Sequence, residues 1–175
     1  MQDFLDTLTP ALISVDSCSA EHLEDCARAL APLLRGGDFV GLIGELGAGK
    51  TTWCRGLGEG LNAKQPLRSP SYLLMHEIDA DIPILHLDAY FEHRIDSLLA
   101  EGDCERFSDD NIVLVEWANN ASQWWPNNGL YVHLTHNSDG GRTLAVHSSG
   151  ERGAELAQAY CELLKSGINI EPTAD

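Results

Sequence analysis

Two short apolar runs stand out in the hydrophobic pattern of this 175-residue chain. Residues 39–43 read Phe-Val-Gly-Leu-Ile and have glycines on both sides, and residues 112–115 read Ile-Val-Leu-Val. Continuous apolar runs of this length are typical of strands that a parallel sheet buries on both faces. The pattern therefore predicts a sheet whose centre is covered by other elements on both sides.

Two antiparallel hairpins are predicted elsewhere in the chain. Residues 72–78 and 84–88 are strand-like runs separated by only a short turn at 79–81, which favours antiparallel pairing. Residues 130–135 and 142–147 flank the turn-forming sequence Asn-Ser-Asp-Gly-Gly and predict a second, late hairpin.

Helical spacing of apolar residues predicts four helices as well. The first has Ser19 as a suitable N-cap and is expected to run to Leu34, before two glycines end it. The other three are expected from residue 49 or 50, at 95–99, and from about residue 151.

Between the first apolar run and the helix after it, residues 44–51 read Gly-Glu-Leu-Gly-Ala-Gly-Lys-Thr, a complete G-x-x-x-x-G-K-[ST] phosphate loop. Its glycines let consecutive backbone N–H groups turn inward around a phosphate, and the helix aims the positive end of its dipole at the anion. Lys50 can reach the outer phosphates, and the Thr51 hydroxyl suits a Mg²⁺ ion that bridges them. A glycine-rich turn with an incidental lysine is the alternative, which the flanking strand and helix disfavour.

The loop predicts a nucleotide site formed by Gly44, Glu45, Leu46, Gly47, Ala48, Gly49, Lys50, Thr51 and Thr52. With the predicted strands and helices it indicates an α/β fold, a three-layer sandwich with a P-loop NTPase-like mixed sheet and antiparallel hairpins. The chain has no repeat and no convincing linker, so a single domain is assigned to residues 1–170, with a loose C-terminal tail at 171–175.

Two carboxylates at strand ends are the predicted catalytic and metal-binding acids. Asp88 ends the run 84–87, and Glu116 ends the run 112–115. Phosphoryl-transfer sites place an acid at the carboxyl end of a strand, where open α/β sheets bind nucleotides. Glu116 is expected to bind Mg²⁺ directly or through water, and Asp88 to orient or deprotonate the attacking water. For each of them a solvated acid is the alternative.

Two further features near these acids have alternative interpretations. His86 lies on the same strand face as Asp88, so it is either a proton-transfer partner or a hydrogen-bonded core histidine. The segment 67–72 reads Leu-Arg-Ser-Pro-Ser-Tyr and is either a switch that senses the terminal phosphate or an ordinary connecting turn.

Charge and cysteine content restrict the partners and the compartment. The formal net charge is −16, from 27 acidic against 11 basic residues, so the chain is expected to repel nucleic acid. Adaptation to a salty habitat is an alternative origin of this acidity.

The five cysteines form no C-x-x-C pair and are expected to be free thiols. No apolar run approaches the ~20 residues of a membrane span, and the N-terminus has no basic region, which predicts a cytoplasmic protein.

Four motifs, in this order within so short a chain, resemble those of the TsaE (YjeE) family. They are the phosphate loop, Ser69-Pro70-Ser71-Tyr72, His86-Leu87-Asp88-Ala89-Tyr90 and Glu116-Trp117. The phosphate loop by itself is generic, whereas the combination is specific. Members of this family are small bacterial P-loop ATPases required for the threonylcarbamoyl modification of adenosine beside the anticodon of certain tRNAs.

The resemblance implies ATP and Mg²⁺ as cofactors and a role for each matched residue. Lys50 would contact phosphates, Thr51 and Glu116 would hold Mg²⁺, and Asp88 would be needed for hydrolysis. It also implies TsaB and TsaD family proteins as partners, so that tRNA would be met only indirectly, through them.

Two positions in or beside these motifs differ from the usual family residue, Ser71 and Phe91. Ser71 stands where the family usually has Thr, and the resemblance implies that it contacts the nucleotide. Trp117 would do the same, or would be a plain core residue. The family commonly has Arg directly after H-x-D-x-Y, where this chain has Phe91, and Arg94 lies three residues further on. Hydrolysis by the isolated chain is therefore expected to be weak, with a partner surface completing the site.

Two other functions are compatible with a phosphate loop. A small P-loop kinase that acts on a small-molecule acceptor would share the loop, but it would need an acceptor pocket and usually an arginine-bearing lid. The sequence has no arginine-rich lid segment. A nucleotide-gated interaction module, in which ATP binding alone changes a surface, would make hydrolysis incidental.

Overall fold

The computed structural model describes residues 1–17, 19–70, 72–138 and 140–167. Within these ranges seven strands form one sheet, and five α-helices accompany it. The strands are β1 (Ile13–Ser17), β2 (Phe39–Gly44), β3 (Met75–Ile78), β4 (Ile84–Asp88), β5 (Ile112–Glu116), β6 (Gly129–His136) and β7 (Arg142–Ser149). The helices are α1 (Gln2–Leu5), α2 (Ala20–Arg28), α3 (Lys50–Gly60), α4 (Glu92–Ala100) and α5 (Gly150–Lys165).

The sheet is mixed and has the strand order β1-β7-β6-β2-β5-β4-β3. β2 pairs in parallel with both β5 and β6, and β4 pairs in parallel with β5, whereas the remaining neighbours are antiparallel. All residues of β2, β4 and β5 are buried, which explains their largely apolar sequences. Because these strands are parallel, their carboxyl ends lie along one edge of the sheet.

Packed elements cover both faces of the sheet, which confirms the predicted three-layer α/β sandwich. One core cluster joins α2, α3 and α5 to the sheet and includes Leu23 and Trp53. The cluster on the other face joins α4 to the sheet and includes Ile95 and Leu99. The strand before the phosphate loop is therefore held from both sides.

The main sequence predictions about elements are confirmed. Both hairpins form, with β3 antiparallel to β4 and β6 antiparallel to β7, and the two apolar runs pair in parallel as β2 and β5. The first long helix begins after Ser19, whose hydroxyl accepts a hydrogen bond from the His22 N–H at 3.0 Å.

The predicted end of this helix is wrong. It was expected to reach Leu34, but α2 ends at Arg28 and a single 3₁₀ turn follows at Ala31–Leu33. Pro32 lies inside that turn and has no N–H group, so an α-helix could not continue through it without losing a hydrogen bond.

The predicted start of the early hairpin is also wrong. Its first strand was expected to begin at Tyr72, but β3 begins at Met75. Leu74 has a φ of 65°, and its N–H donates to Pro70 O at 2.6 Å, so a tight turn lies where strand was expected. The short helix expected at 95–99 is longer than predicted, since α4 spans Glu92–Ala100.

The edge strand β1, which pairs with β7, was not among the predicted strands. Residues 13–17 read Ile-Ser-Val-Asp-Ser and alternate apolar and polar side chains, which is the pattern of a strand with one exposed face. This alternating pattern covers only five residues, and it lies just before the N-cap at Ser19.

Other predictions concern cysteines, the tail and membrane spans. Free thiols are present at Cys26, Cys54, Cys104 and Cys161, while Cys18 and the predicted tail 171–175 lie outside the described residues. Across the described ranges, every helix is too short or too polar to cross a bilayer.

Candidate functional site

The phosphate loop connects β2 to α3, and two glycines in the left-handed region shape its backbone. Gly47 has a φ of 76° and Gly49 a φ of 105°, values that residues with a side chain rarely adopt. A Cβ atom on Gly49 would lie 2.7 Å from Leu23 Cδ2, so α2 packs directly against the loop. The loop therefore needs glycine at both positions, and it leads straight into the N-terminus of the 11-residue helix α3.

Lys50, the first residue of α3, is buried, with 5% of its surface exposed. Its Nζ donates to Gly44 O and Glu45 O, each at 2.8 Å, and lies 3.5 Å from the centre of the Trp117 ring. Burial lowers the pKa of the Lys50 ammonium from 10.5 to about 8, and the two strand-end carboxylates oppose this shift. The ammonium is therefore mostly charged at neutral pH, as an anion-binding group must be.

Glu116, at the end of β5, connects the phosphate-loop helix to the sheet. Thr51 Oγ1 donates to Glu116 Oε2 at 2.8 Å, and His86 Nε2 lies 3.2 Å from Glu116 Oε1. Hydroxyl and carboxylate oxygens are the ligands that Mg²⁺ prefers, so this adjacent pair fits the metal that the sequence predicts. His86 is fully buried against Glu116, which supports the interpretation as a hydrogen-bonded core histidine.

Asp88, at the end of β4, lies opposite Glu116 in the register of the parallel pair. Its carboxylate accepts hydrogen bonds from the Ser69 hydroxyl at 2.6 Å and from the Tyr90 N–H at 2.9 Å. These two donors approach different carboxylate oxygens and so fix the orientation of a buried side chain. Because Ser69 belongs to the segment 67–72, the contact also joins that segment to the predicted catalytic acid.

Trp117 follows Glu116 in a left-handed backbone conformation, with φ 62° and ψ 38°. This conformation is rare for a bulky residue and costs on the order of 1–3 kcal/mol, so it persists only where the surroundings hold it. The ring packs edge-on against Tyr90, with centroids 5.0 Å apart, and covers the Lys50 ammonium. The strained residue thus places an indole beside the lysine of the phosphate loop.

The predicted residues meet at one cavity of about 690 Å³. Nine of them line it: Leu46, Gly47, Gly49, Lys50, Thr51, Thr52, Asp88, Glu116 and Trp117. Gly44, Glu45 and Ala48 do not line the cavity, and the first two instead hold Lys50 through their carbonyl groups. The predicted contact at Ser71 lies outside the described residues.

Five lining residues were not among the predicted nucleotide contacts: Ser69, Tyr72, Tyr90, Phe91 and Arg94. All of them lie in, or within four residues after, the family motifs at 69–72 and 86–90. Their position next to these motifs was the only sequence signal that could have assigned them to the site. Arg94 Nη2 donates to Tyr72 O at 3.1 Å and ties α4 to the segment 67–72. The structure therefore brings Arg94 to the same cavity as Lys50, from a helix that packs on the other face of the sheet.

The chain is similar to known proteins in both sequence and structure. A sequence model of the family described as "Threonylcarbamoyl adenosine biosynthesis protein TsaE" matches residues 17–144, which is more than half of the chain. A relative from Streptomyces coelicolor, named "tRNA threonylcarbamoyladenosine biosynthesis protein TsaE", is 36% identical over 75% of this chain and 94% of its own length. A relative of the same name from Bacillus subtilis is 32% identical over 86% of this chain and 92% of its own length.

Solved structures include a similar fold. The crystal structure of YdiB from Bacillus subtilis has a TM-score of 0.72 to this chain at 26% sequence identity. The match covers 86% of this chain and 94% of YdiB. The similarity therefore extends over most of both proteins.

Proposed function

Since this chain belongs to the TsaE family, we propose that it is an ATP-binding and ATP-hydrolysing subunit required for threonylcarbamoyl modification of adenosine next to the anticodon of tRNAs. The observation that carries the proposal is the common cavity of Lys50, Thr51, Asp88 and Glu116 at the phosphate loop. Those four residues offer a cation, a metal-binding pair and a carboxylate for water, which are the parts that phosphoryl transfer to water needs.

Binding of the triphosphate is assigned to the loop and its lysine. Backbone N–H groups of the loop and the N-terminus of α3 would face the phosphates, and Lys50 would move its donors from loop carbonyls to phosphate oxygens. Thr51 and Glu116 would hold Mg²⁺. When bound, this ion would neutralise phosphate charge. Trp117 would limit the access of water to the Lys50 ammonium, which strengthens its attraction to an anion.

Hydrolysis is assigned to Asp88. Its task would be to hold the attacking water in line with the γ-phosphate. Ser69 and Tyr90 keep the carboxylate oriented for that task. Lys50 would stabilise the negative charge on the transferring group.

Partner proteins are part of the proposal, and the rim of the cavity supports them. Leu46, Tyr72 and Phe91 are 78%, 92% and 48% exposed, and all three line the cavity. Exposed apolar side chains gathered at one place mark a surface that another protein covers. We assign this surface to TsaB and TsaD family proteins in the cytoplasm. A net charge of −16 supports a subunit that meets tRNA only through them.

The kinase alternative has weaker support than the hydrolase. The relatives carry a tRNA-modification name rather than the name of a kinase. Incubation with ATP labelled on its γ-phosphate separates the two functions. Release of labelled phosphate to water supports the hydrolase, while a labelled small molecule would contradict it.

Partner dependence is the first testable consequence. The isolated chain is expected to hydrolyse ATP slowly, and addition of TsaB and TsaD family proteins is expected to raise turnover by about 10³-fold, since an added arginine contact is worth ~10³–10⁵. Steady-state phosphate release measures both rates. An Asp88→Asn variant with the same partners controls for ATPase activity that the partners bring. Fast turnover by the chain alone, unchanged by partners, would contradict completion of the site by a partner.

A second expected result concerns the metal. Glu116→Gln keeps the size of the side chain but removes a charged ligand, so the Mg²⁺ concentration for half-maximal nucleotide binding is expected to rise roughly 10-fold. Titration with Mg²⁺ at fixed nucleotide measures this midpoint. Glu162→Gln, on an exposed position of α5, is the matched control and leaves it unchanged. A Glu116→Gln midpoint equal to that of the unmodified protein would remove Glu116 from the metal site.

A further inference from the structure

The turn between β6 and β7 contacts the exposed part of the phosphate loop. Arg142, at the start of β7, donates from Nη2 to Gly47 O at 3.0 Å and from Nη1 to Gly140 O and Gly141 O at 2.9 Å each. His136, at the end of β6, lies 3.4 Å from Leu46 O through its Nε2. A hairpin that belongs to no nucleotide-binding motif therefore holds two consecutive carbonyl groups of the loop.

The contact from Arg142 fixes one particular peptide unit. Gly47 O accepts from Arg142, and the N–H at the other end of the same peptide, that of Ala48, donates to Glu45 O at 3.2 Å. Gly47 has left-handed φ and no heavy atom closer than 3.9 Å to the position of a Cβ, so packing alone does not hold it. Glycine also has the largest freedom of any residue in an unbound loop. Hydrogen bonds at both ends of the peptide supply the missing restraint.

The guanidinium of Arg142 is directed at carbonyl groups. Arg28, Arg55, Arg106 and Arg152 each pair with a carboxylate, whereas within the described residues Arg142 forms no salt bridge and bonds only carbonyl oxygens. A guanidinium has a fixed fork of donors, which suits three carbonyl groups at once better than an ammonium would. Its positive charge also remains beside the phosphate loop.

The hairpin is itself anchored, so it can act as a support. Thr143 Oγ1 donates to Asp16 Oδ1 at 2.8 Å, and Asn137 Nδ2 reaches the same oxygen at 3.3 Å. Asp16 lies on β1, which is paired along its whole length with β7. The turn is thus attached to the edge strand of the sheet.

We propose that Arg142 is a positioning residue for phosphate binding, which holds the Gly47–Ala48 peptide so that the neighbouring loop amides face the anion before the nucleotide arrives. This inference rests on the proposed function, since it needs the loop to bind phosphates. It assigns a role to the hairpin turn, which the motifs leave without one. Preorganisation of this kind increases affinity because the loop no longer loses its freedom upon binding.

The test compares Arg142→Ala and Arg142→Lys with the unmodified protein by calorimetry with ADP and Mg²⁺. Arg142→Ala is expected to bind roughly 10-fold more weakly, the value of about one charge-assisted hydrogen bond. Arg142→Lys keeps the charge but not the fork, and it is expected to recover less than half of the lost affinity on a logarithmic scale. Arg35→Ala removes an exposed arginine near the start of β2, at the opposite end of that strand, and is expected to bind normally.

A second measurement separates positioning from a general loss of stability. In the nucleotide-free protein, hydrogen exchange at the amides of residues 46–49 is expected to be faster in Arg142→Ala, with exchange in β5 unchanged. Unchanged affinity in Arg142→Ala would overturn the proposal, and so would full recovery by Arg142→Lys, which would leave charge alone as the cause. Failure of the unmodified protein to bind nucleotide would instead overturn the proposed function.

Discussion

Replacing Lys50 by Ala is expected to abolish measurable nucleotide binding and, with it, hydrolysis. The side chain supplies the buried cation of the phosphate loop, and hydrogen bonds to charged groups contribute about 1.5–3 kcal/mol each. Loss of two such bonds corresponds to an affinity roughly 10²–10⁴-fold lower. Calorimetry or fluorescence titration with a dye-labelled nucleotide in the presence of Mg²⁺ measures the effect.

The control for this variant must remove a lysine without touching the loop. Lys64 is exposed and pairs with Asp79, so Lys64→Ala is expected to bind nucleotide like the unmodified protein. Lys50→Ala also removes the donor that Gly44 O and Glu45 O share. A Lys50→Arg variant therefore tests whether a positive charge at this position is enough to restore nucleotide binding. Normal affinity in folded Lys50→Ala would contradict the proposal that this loop holds the triphosphate.

Replacing Asp88 by Asn is expected to leave nucleotide binding nearly intact while reducing ATP turnover by about 10²–10⁴-fold, the usual range for loss of a group that acts on the reacting proton or water. Asparagine has the same size, and its carbonyl oxygen can still accept from Tyr90 N–H. The Ser69 hydroxyl can reverse its bond and accept from the new amide. The buried position is therefore preserved while the charge is lost.

Single-turnover hydrolysis with saturating ATP separates this effect from weaker binding. Asp110→Asn, at an exposed position before β5, is the matched control and is expected to retain full turnover. Asp88→Ala is expected to lose turnover as well, and agreement between the two variants excludes an artefact of the new amide. If Asp88→Asn keeps full turnover in complex with its partners, the role assigned to Asp88 is wrong.

Much of the site could be predicted because its residues are tied to local patterns. The phosphate loop is continuous in sequence, and its strand and helix have strong periodic signals on either side. Asp88 and Glu116 were found because each ends a buried apolar strand, and parallel pairing then brings strand ends together. Family membership, which the comparisons established, follows from the order of these same motifs.

Other features depended on contacts between distant parts of the chain. The left-handed conformations of Leu74 and Trp117 have no local signal, because neither residue favours them. They exist because distant residues hold them: Leu74 O accepts from the Asp88 N–H at 3.0 Å, and the Trp117 ring packs on Tyr90. A strand was therefore predicted where Leu74 makes a turn.

From the residues alone came most of the strands and helices, the anion-binding loop and the acids at the strand ends, since periodicity, glycine placement and strand termini are local properties. Only the folded arrangement decided that Arg142 supports Gly47 from 95 residues away, that Ser69 holds Asp88, and that Arg94 reaches the cavity. Such pairings depend on which strands become neighbours in the sheet. That choice minimises the free energy of the whole chain and is not encoded in any one segment.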